Sequence, residues 1–137
     1  EPFSQARELF QKIKRDGKRI ALASSSKASE LEKYKKIARV GDLTEAETSA
    51  DDAERSKPSP DIFAAALERL GKINKRNVLV VGDTAYDAEA AAKIGLQVIG
   101  VLSGGWTASE LSSAGCREVY RDVADILNKY ENTLLGK

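Results

Sequence analysis

The sequence contains no histidine and no methionine, and it has one cysteine and one tryptophan. Without histidine the chain lacks the commonest general base and the central member of a Ser-His-Asp triad, which leaves Asp, Glu, Lys, Ser and Tyr for proton transfer. The single cysteine, Cys116, excludes an intrachain disulfide and a multi-cysteine zinc site. Because it also fits a reducing compartment, we expect a cytoplasmic protein.

Long apolar runs and an excess of one charge are also absent. No run approaches the roughly 20 residues that cross a bilayer, so we expect no membrane partner. The 22 basic and 21 acidic residues give a net charge of +1, which argues against nucleic acid as a partner. The length of 137 residues predicts one domain over 1–137. Since methionine is absent and Glu1-Pro2-Phe3-Ser4 is no signal peptide, we expect a fragment of a longer protein.

The stretch that organises the chain runs from Asn77 to Gly95. Four aliphatic residues, 78–81, predict a strand buried on both faces, and the alanine-rich run that ends at Gly95 predicts a helix. Between them, Asp83 follows the strand directly, at the edge where open α/β sheets bind ligands. Asp87 falls one turn into the helix, close enough to bring a second carboxylate near the first.

The rest of the chain alternates apolar strands with amphipathic helices. This alternation predicts an α/β fold, a Rossmann-like three-layer sandwich with a mostly parallel sheet covered on both faces. Helical spacing or short apolar runs indicate helices near 3–15, 28–38, 61–70, 108–114 and 123–135, and strands near 19–23, 97–102 and 118–120. The stretch 40–57 has a poor signal and is predicted to be mostly loop, with at most a short edge strand near 44–48.

Chemically interesting residues fall directly after strands or in loops. Carboxylates such as Asp83 and Asp87 suit a hard cation, and Mg²⁺ is the first expectation. Hydroxyls and free amides at Ser24-Ser25-Ser26 can hold an anion, and Lys57 adds a positive charge, so the set describes a phosphoryl site. Singly, each residue has a simpler explanation: serine or Asp83 as a helix cap, Lys57 as a solvated lysine, and Asp87 as a partner of the helix dipole.

Three stretches in order resemble the motifs of the haloacid dehalogenase-like superfamily of phosphotransferases. They are Ile20-Ala21-Leu22-Ala23-Ser24, Lys57-Pro58-Ser59-Pro60-Asp61, and Gly82-Asp83 with Asp87. The similarity covers nearly the whole chain and is greatest to the phosphoglycolate phosphatase and β-phosphoglucomutase-like members.

The resemblance implies roles for the phosphate-binding side chains. Ser24 would donate a hydrogen bond to the transferring phosphoryl group, and Ser25 would assist through its backbone amide. Lys57 would bridge the nucleophile and the phosphate, and Lys27 would reach the substrate. Asp83 would bind Mg²⁺, and Asp87 would be a further ligand or an anchor.

One family motif has no counterpart in the sequence. The resemblance implies an Asp-x-Asp nucleophile motif on a first strand in the middle of the sheet, and a cap that selects substrate. Neither is recognisable between Glu1 and Lys137. We therefore expect a core domain that lacks the nucleophile, one metal ligand, the cap and its central strand, and hence a sheet that is interrupted or rearranged.

The function implied for the parent protein is a Mg²⁺-dependent phosphatase acting on a small phosphorylated metabolite. Alternatives are a sugar phosphomutase of the same superfamily and a non-catalytic phosphate-binding or regulatory module. Dehalogenases of the superfamily tend to carry Ser rather than Gly-Asp in this motif, so Gly82-Asp83 favours phosphoryl transfer. No Gly-x-Gly-x-x-Gly pattern supports dinucleotide binding.

We expect the chain alone to have no phosphatase activity, because the attacking aspartate is missing. The measurement is hydrolysis of a generic aryl phosphate in the presence of Mg²⁺. Turnover that disappears in Asp83→Ala would contradict the interpretation of the chain as a fragment.

Overall fold

The computed structural model describes residues 5–24, 27–53 and 59–136. In these ranges helices and strands alternate as the sequence predicts. The helices are α1 (Ala6–Arg15), α2 (Ala28–Ala38), α3 (Asp61–Leu70), α4 (Ala85–Lys93), α5 (Ala108–Ala114) and α6 (Val123–Asn128), and the strands are β1 (Ala21–Ala23), β2 (Ala46–Thr48), β3 (Leu79–Gly82), β4 (Gln97–Val101) and β5 (Glu118–Tyr120).

All strand pairs in the described part of the chain are parallel. β1 pairs with β2, with Leu22 opposite Glu47. β3, β4 and β5 form a second sheet in that order, in which Val81 lies opposite Ile99. The prediction of an α/β fold with parallel strands is confirmed.

Two apolar cores lie on opposite faces of this strand layer. Along β4, Val98 and Ile99 point to opposite faces and join different cores. One core contains residues of α3, α4 and α5, and the other contains residues of α1 and α6. Helices therefore cover both faces, as the three-layer prediction required.

The alanine-rich face of α4 packs closely against the sheet because its side chains are small. Ala88, Ala90 and Ala91 are fully buried. On the same face Gly100 leaves room for α5, since a Cβ built there would lie 2.9 Å from Cys116 Sγ and 3.1 Å from a methyl of Leu111. These small residues bring α4 and α5 close to the strands that carry the candidate site.

The strand layer is interrupted between β1 and β3. Both sheets share the same cores: Ile20 belongs to the core of α1 and α6 that Leu79 also contacts, and Ala23 and Val80 pack against the core of α3 and α4. Within the described residues, however, no strand pairs link β1 to β3. Val81 of β3 is 42% exposed, although its strand is apolar. The strands of the described residues thus form two separate sheets, and the missing central strand stays a prediction.

The last helix is shorter than predicted. The apolar spacing predicts helix from 123 to 135, but α6 ends at Asn128 and a single 3-10 turn spans Tyr130–Asn132. The buried hydroxyl of Thr133 donates to the carbonyl of Tyr130 and accepts from the amide of Leu135. This local bonding replaces the helical hydrogen bonds and turns Leu135 into the core.

The long apolar helix that a bilayer span requires is not found among the helices of the described residues.

Candidate active site

The structure places four of the six predicted site residues at the ends of strands or the starts of helices. Ser24 follows β1, and Lys27 is the exposed N-cap residue of α2. Asp83 follows β3 and is exposed, and Asp87 is buried in the first turn of α4. The other two, Ser25 and Lys57, lie outside the described residues.

The turn from β3 into α4 is held by the side chain of Asp87. Its Oδ2 accepts hydrogen bonds from the amide of Asp83 at 3.1 Å and from the amide of Thr84 at 3.2 Å. In return the hydroxyl of Thr84 accepts from the amide of Asp87 at 3.1 Å. This reciprocal capping box makes Thr84 the N-cap of α4. The simpler explanation of Asp83 as the cap is therefore wrong.

Thr84 is the functional neighbour that the sequence reasoning missed. Its signal was present, because Thr-x-x-Asp before an apolar helix is a capping-box pattern. Assigning the cap to Thr84 changes what the two aspartates do. Asp87 is 6% exposed and faces inward onto the turn, whereas Asp83 is exposed at the end of its strand.

Gly82 is required where it stands because Asp87 occupies the space of a side chain. A Cβ built on Gly82 would lie 2.6 Å from the Cβ of Asp87 and 2.7 Å from its Oδ2. Any larger residue would therefore push Asp87 away from the two amides. The Gly-Asp-x-x-x-Asp pattern thus has a packing explanation: the glycine admits the second aspartate, which anchors the first.

A loop after β4 presses on Asp83 from the other side. A Cβ built on Gly104 would collide with the backbone carbonyl of Asp83 and would lie 2.9 Å from its Cγ. Gly105, with φ of 88°, supplies the left-handed turn that ends the 3-10 segment Leu102–Gly104 of this loop. The carboxylate of Asp83 therefore stands between two fixed backbone segments.

Hydrogen bonds also fix the segment around Ser24. The amide of Ser24 donates to the carbonyl of Thr48 at 3.0 Å, and the buried hydroxyl of Thr48 donates to the carbonyl of Ile62. At the start of α2, the amide of Ala28 donates to Asp51 Oδ2 at 3.1 Å. Asp51 comes from the loop after β2, so the ends of β1 and β2 are tied together.

Arg69 of α3 stabilises the same loop. Its guanidinium donates to the carbonyl of Glu47 and to Oδ1 of Asp52. The hydrogen bond from Arg69, followed by that from the Ser49 amide, lowers the pKa of Asp52. The loop after β2 is thereby held in one arrangement from α3.

The negative charge of Asp83 affects a side chain on α2, that of Tyr34. Burial, and to a lesser degree the negative charge of Asp83, raises the pKa of the Tyr34 hydroxyl. Tyr34 lies on α2, the helix that follows Ser24. Burial first, then the charge of Asp87, raises the pKa of the Cys116 thiol on the other side of the turn. The charge of Asp83 is thus felt by Tyr34, and the charge of Asp87 by Cys116.

No group of three or more His, Cys, Asp or Glu side chains that could hold a metal occurs in the part of the chain that the structure describes. Mg²⁺ does not require one, because it keeps several waters and is often bound by one or two carboxylates. Exposed, oxygen-donating and held on a fixed turn, Asp83 fits such a ligand. Asp87 as a metal ligand stays a prediction, and its Oδ2 is occupied by two amides.

Comparison with known proteins supplies the family. A sequence model of haloacid dehalogenase-like hydrolases matches residues 1–95. The chain belongs to this family. The matched range includes all three motifs on which the sequence resemblance rests.

Relatives of this haloacid dehalogenase-like chain include enzymes of different activity. An (S)-2-haloacid dehalogenase 4A of Burkholderia cepacia is 30% identical over 97 residues, which cover 71% of this chain and 42% of the relative. A pyrophosphatase PpaX of Bacillus cereus is 24% identical over 107 residues, covering 78% of this chain and 48% of the relative.

The fold is shared with solved structures of the family. A hydrolase from Pseudomonas syringae superposes with a TM-score of 0.85 at 29% identity, over 94% of this chain and 61% of that one. The chain spans less than half the length of the dehalogenase and the pyrophosphatase to which its sequence is similar.

We predict that Asp87→Ala destabilises the fold by about 1–3 kcal/mol, because the amides of Asp83 and Thr84 lose their acceptor and α4 loses its capping box. Glu110 is the matched control: it forms an equivalent capping box with Thr107 at the start of α5, but it is exposed. Glu110→Ala should cost about 1 kcal/mol or less. Urea unfolding measures both. An Asp87→Ala loss no larger than that of Glu110→Ala would contradict the anchoring role.

Proposed function

We propose that the protein is a Mg²⁺-dependent phosphatase acting on a small phosphorylated metabolite, and that this chain supplies the phosphate-binding and part of the cation-binding side of its site. The observation that carries the proposal is the exposed carboxylate of Asp83, fixed at the end of β3 by Asp87. A single fixed carboxylate at a sheet edge suits a hydrated divalent cation on a phosphate.

The relatives include a dehalogenase and a pyrophosphatase, so membership of the family does not by itself identify the reaction. Gly82-Asp83 favours phosphoryl transfer, because the superfamily's dehalogenases tend to have Ser in that motif and need no metal. The geometry adds a physical reason. An exposed carboxylate attracts a divalent cation. A reaction that uses no metal has no such need for a carboxylate at this position.

In the proposed site, different residues bind the cation, bind the phosphate and hold the turn in position. Asp83 holds Mg²⁺, which when bound neutralises charge on the phosphoryl oxygens. Asp87 keeps the Asp83 turn in place. Ser24 donates its hydroxyl to a phosphoryl oxygen, assisted by the amide of Ser25, and Lys57 contributes a positive charge.

Lys27 lies on the same side as Ser24 in this proposal. As the exposed N-cap residue of α2, it carries a positive charge at the start of the helix that follows Ser24. Because lysine acts as a point charge on a long flexible stem, it would attract the anion without fixing its orientation. Orientation would fall to Ser24 and Asp83.

The interrupted sheet fits the same proposal. Ser24 follows β1 and Asp83 follows β3, and within the described residues no strand pairing joins these two strands. A further parallel strand between them would place its own carboxyl end between these two residues, where the attacking carboxylate has to be. The nucleophile would therefore come from a segment that this chain does not contain.

We predict that Mg²⁺ binds to the chain and that Asp83→Asn weakens this binding at least tenfold, about 1.4 kcal/mol, since the charged oxygen ligand is lost. Isothermal titration with Mg²⁺ in the presence of inorganic phosphate measures the affinity. The matched control is Glu89→Gln, which neutralises an exposed carboxylate further along α4 and should leave the affinity unchanged. Equal affinities for wild type and Asp83→Asn would contradict the proposal.

A further inference from the structure

Two exposed apolar side chains flank Asp83. Of the residues that the structure describes, Ile37, Val81 and Tyr86 are the large hydrophobic side chains that are exposed. Val81 is on β3, which pairs with a strand on one side only among the described residues, and this open edge accounts for its exposure. Tyr86 lies on α4, outside the strand layer, and is 50% exposed. The interruption therefore does not explain Tyr86.

The ring of Tyr86 is held in a fixed orientation. It packs edge to face against Trp106, with ring centroids 5.5 Å apart and an angle of 82° between the planes. Tyr86 stands in the first turn of α4, inside the capping box of Thr84 and Asp87. Trp106 directly precedes Thr107, which caps α5 by an equivalent box with Glu110. Both rings thus project from fixed backbone.

The aromatic pair stands next to the candidate cation ligand. Gly104, two residues before Trp106, is packed against the backbone and side chain of Asp83. Tyr86 follows Asp83 by three residues across the same turn. A molecule bound through a phosphate at Asp83 would therefore have this pair as its neighbour.

We propose that Tyr86 and Trp106 form a stacking subsite that favours phosphoesters whose leaving group carries a ring. The inference rests on the proposed function, because Asp83 must hold the phosphate. A half-exposed tyrosine ring matches the area of one small ring, whereas a stable protein interface takes roughly 800 Å² per partner. A prearranged aromatic pair also loses little conformational entropy when a second ring stacks on it.

The experiment compares two phosphate monoesters of equal charge, phenyl phosphate and glycerol 3-phosphate, in titrations of the chain with Mg²⁺. Phenyl phosphate should bind about fivefold more tightly, the effect of one added aromatic contact. Tyr86→Ala should remove this preference, and Tyr86→Phe should keep it because the ring remains. Trp106 is the only tryptophan, so its fluorescence should change with phenyl phosphate more than with glycerol 3-phosphate.

Inorganic phosphate separates this inference from the proposed function. If inorganic phosphate binds in a manner that Asp83→Asn weakens, but phenyl phosphate has no advantage or keeps it in Tyr86→Ala, the stacking subsite is wrong and the proposed function stands. If no phosphate binds in a manner that Asp83→Asn weakens, both are wrong. A preference that Tyr86→Ala removes and Tyr86→Phe retains supports the subsite.

Discussion

The candidate site depends on one buried carboxylate, that of Asp87. Asp87 Oδ2 accepts hydrogen bonds from the amides of Asp83 and Thr84, and these two hydrogen bonds fix the path of the chain as it leaves β3. Only glycine fits at position 82, because Asp87 fills the space that a side chain would need. Asp83 is exposed because the turn is closed beneath it. If Asp87 moved, the start of α4 and the orientation of Asp83 would both be lost.

The interrupted strand layer is stable because its two parts share both cores. Ile20, directly before β1, packs into the same cluster as Leu79 of the second sheet, and Ala23 of β1 packs into the same cluster as Val80. Helices on both faces therefore bridge an interruption that no backbone pairing closes within the described residues. The cost appears at Val81, an apolar side chain left exposed at the open edge. Packing of the helices on both faces takes the place of backbone hydrogen bonds between β1 and β3.

Much of this architecture could be predicted from the sequence, because the periodic segments are long and well separated. β3, α4 and the parallel pairing followed from apolar runs alternating with helical spacing. The end of α6 could not, because the apolar spacing of 123–135 continues through a 3-10 turn that the buried hydroxyl of Thr133 creates. The interruption was anticipated from the missing family motif, and periodicity alone contained no sign of it.

For the candidate site, the sequence predicted the positions of the residues better than their roles. Sequence spacing placed Asp83 and Asp87 near each other, but it did not distinguish a ligand from an anchor, since an aspartate serves in both roles. Only the direction of the side chain separates them, and that depends on the space at Gly82 and on the cap at Thr84. Tyr86 carried no sequence signal, because its partner Trp106 lies twenty residues away.

The central claim is that Asp83 binds and Asp87 anchors. A crystal structure of the chain grown with Mg²⁺ and inorganic phosphate tests it most directly. We predict a cation on the carboxylate of Asp83, with Asp87 Oδ2 still within hydrogen-bond distance of the amides of Asp83 and Thr84. A cation held by Asp87 after those two bonds have broken, or a cation bound away from Asp83, would contradict it.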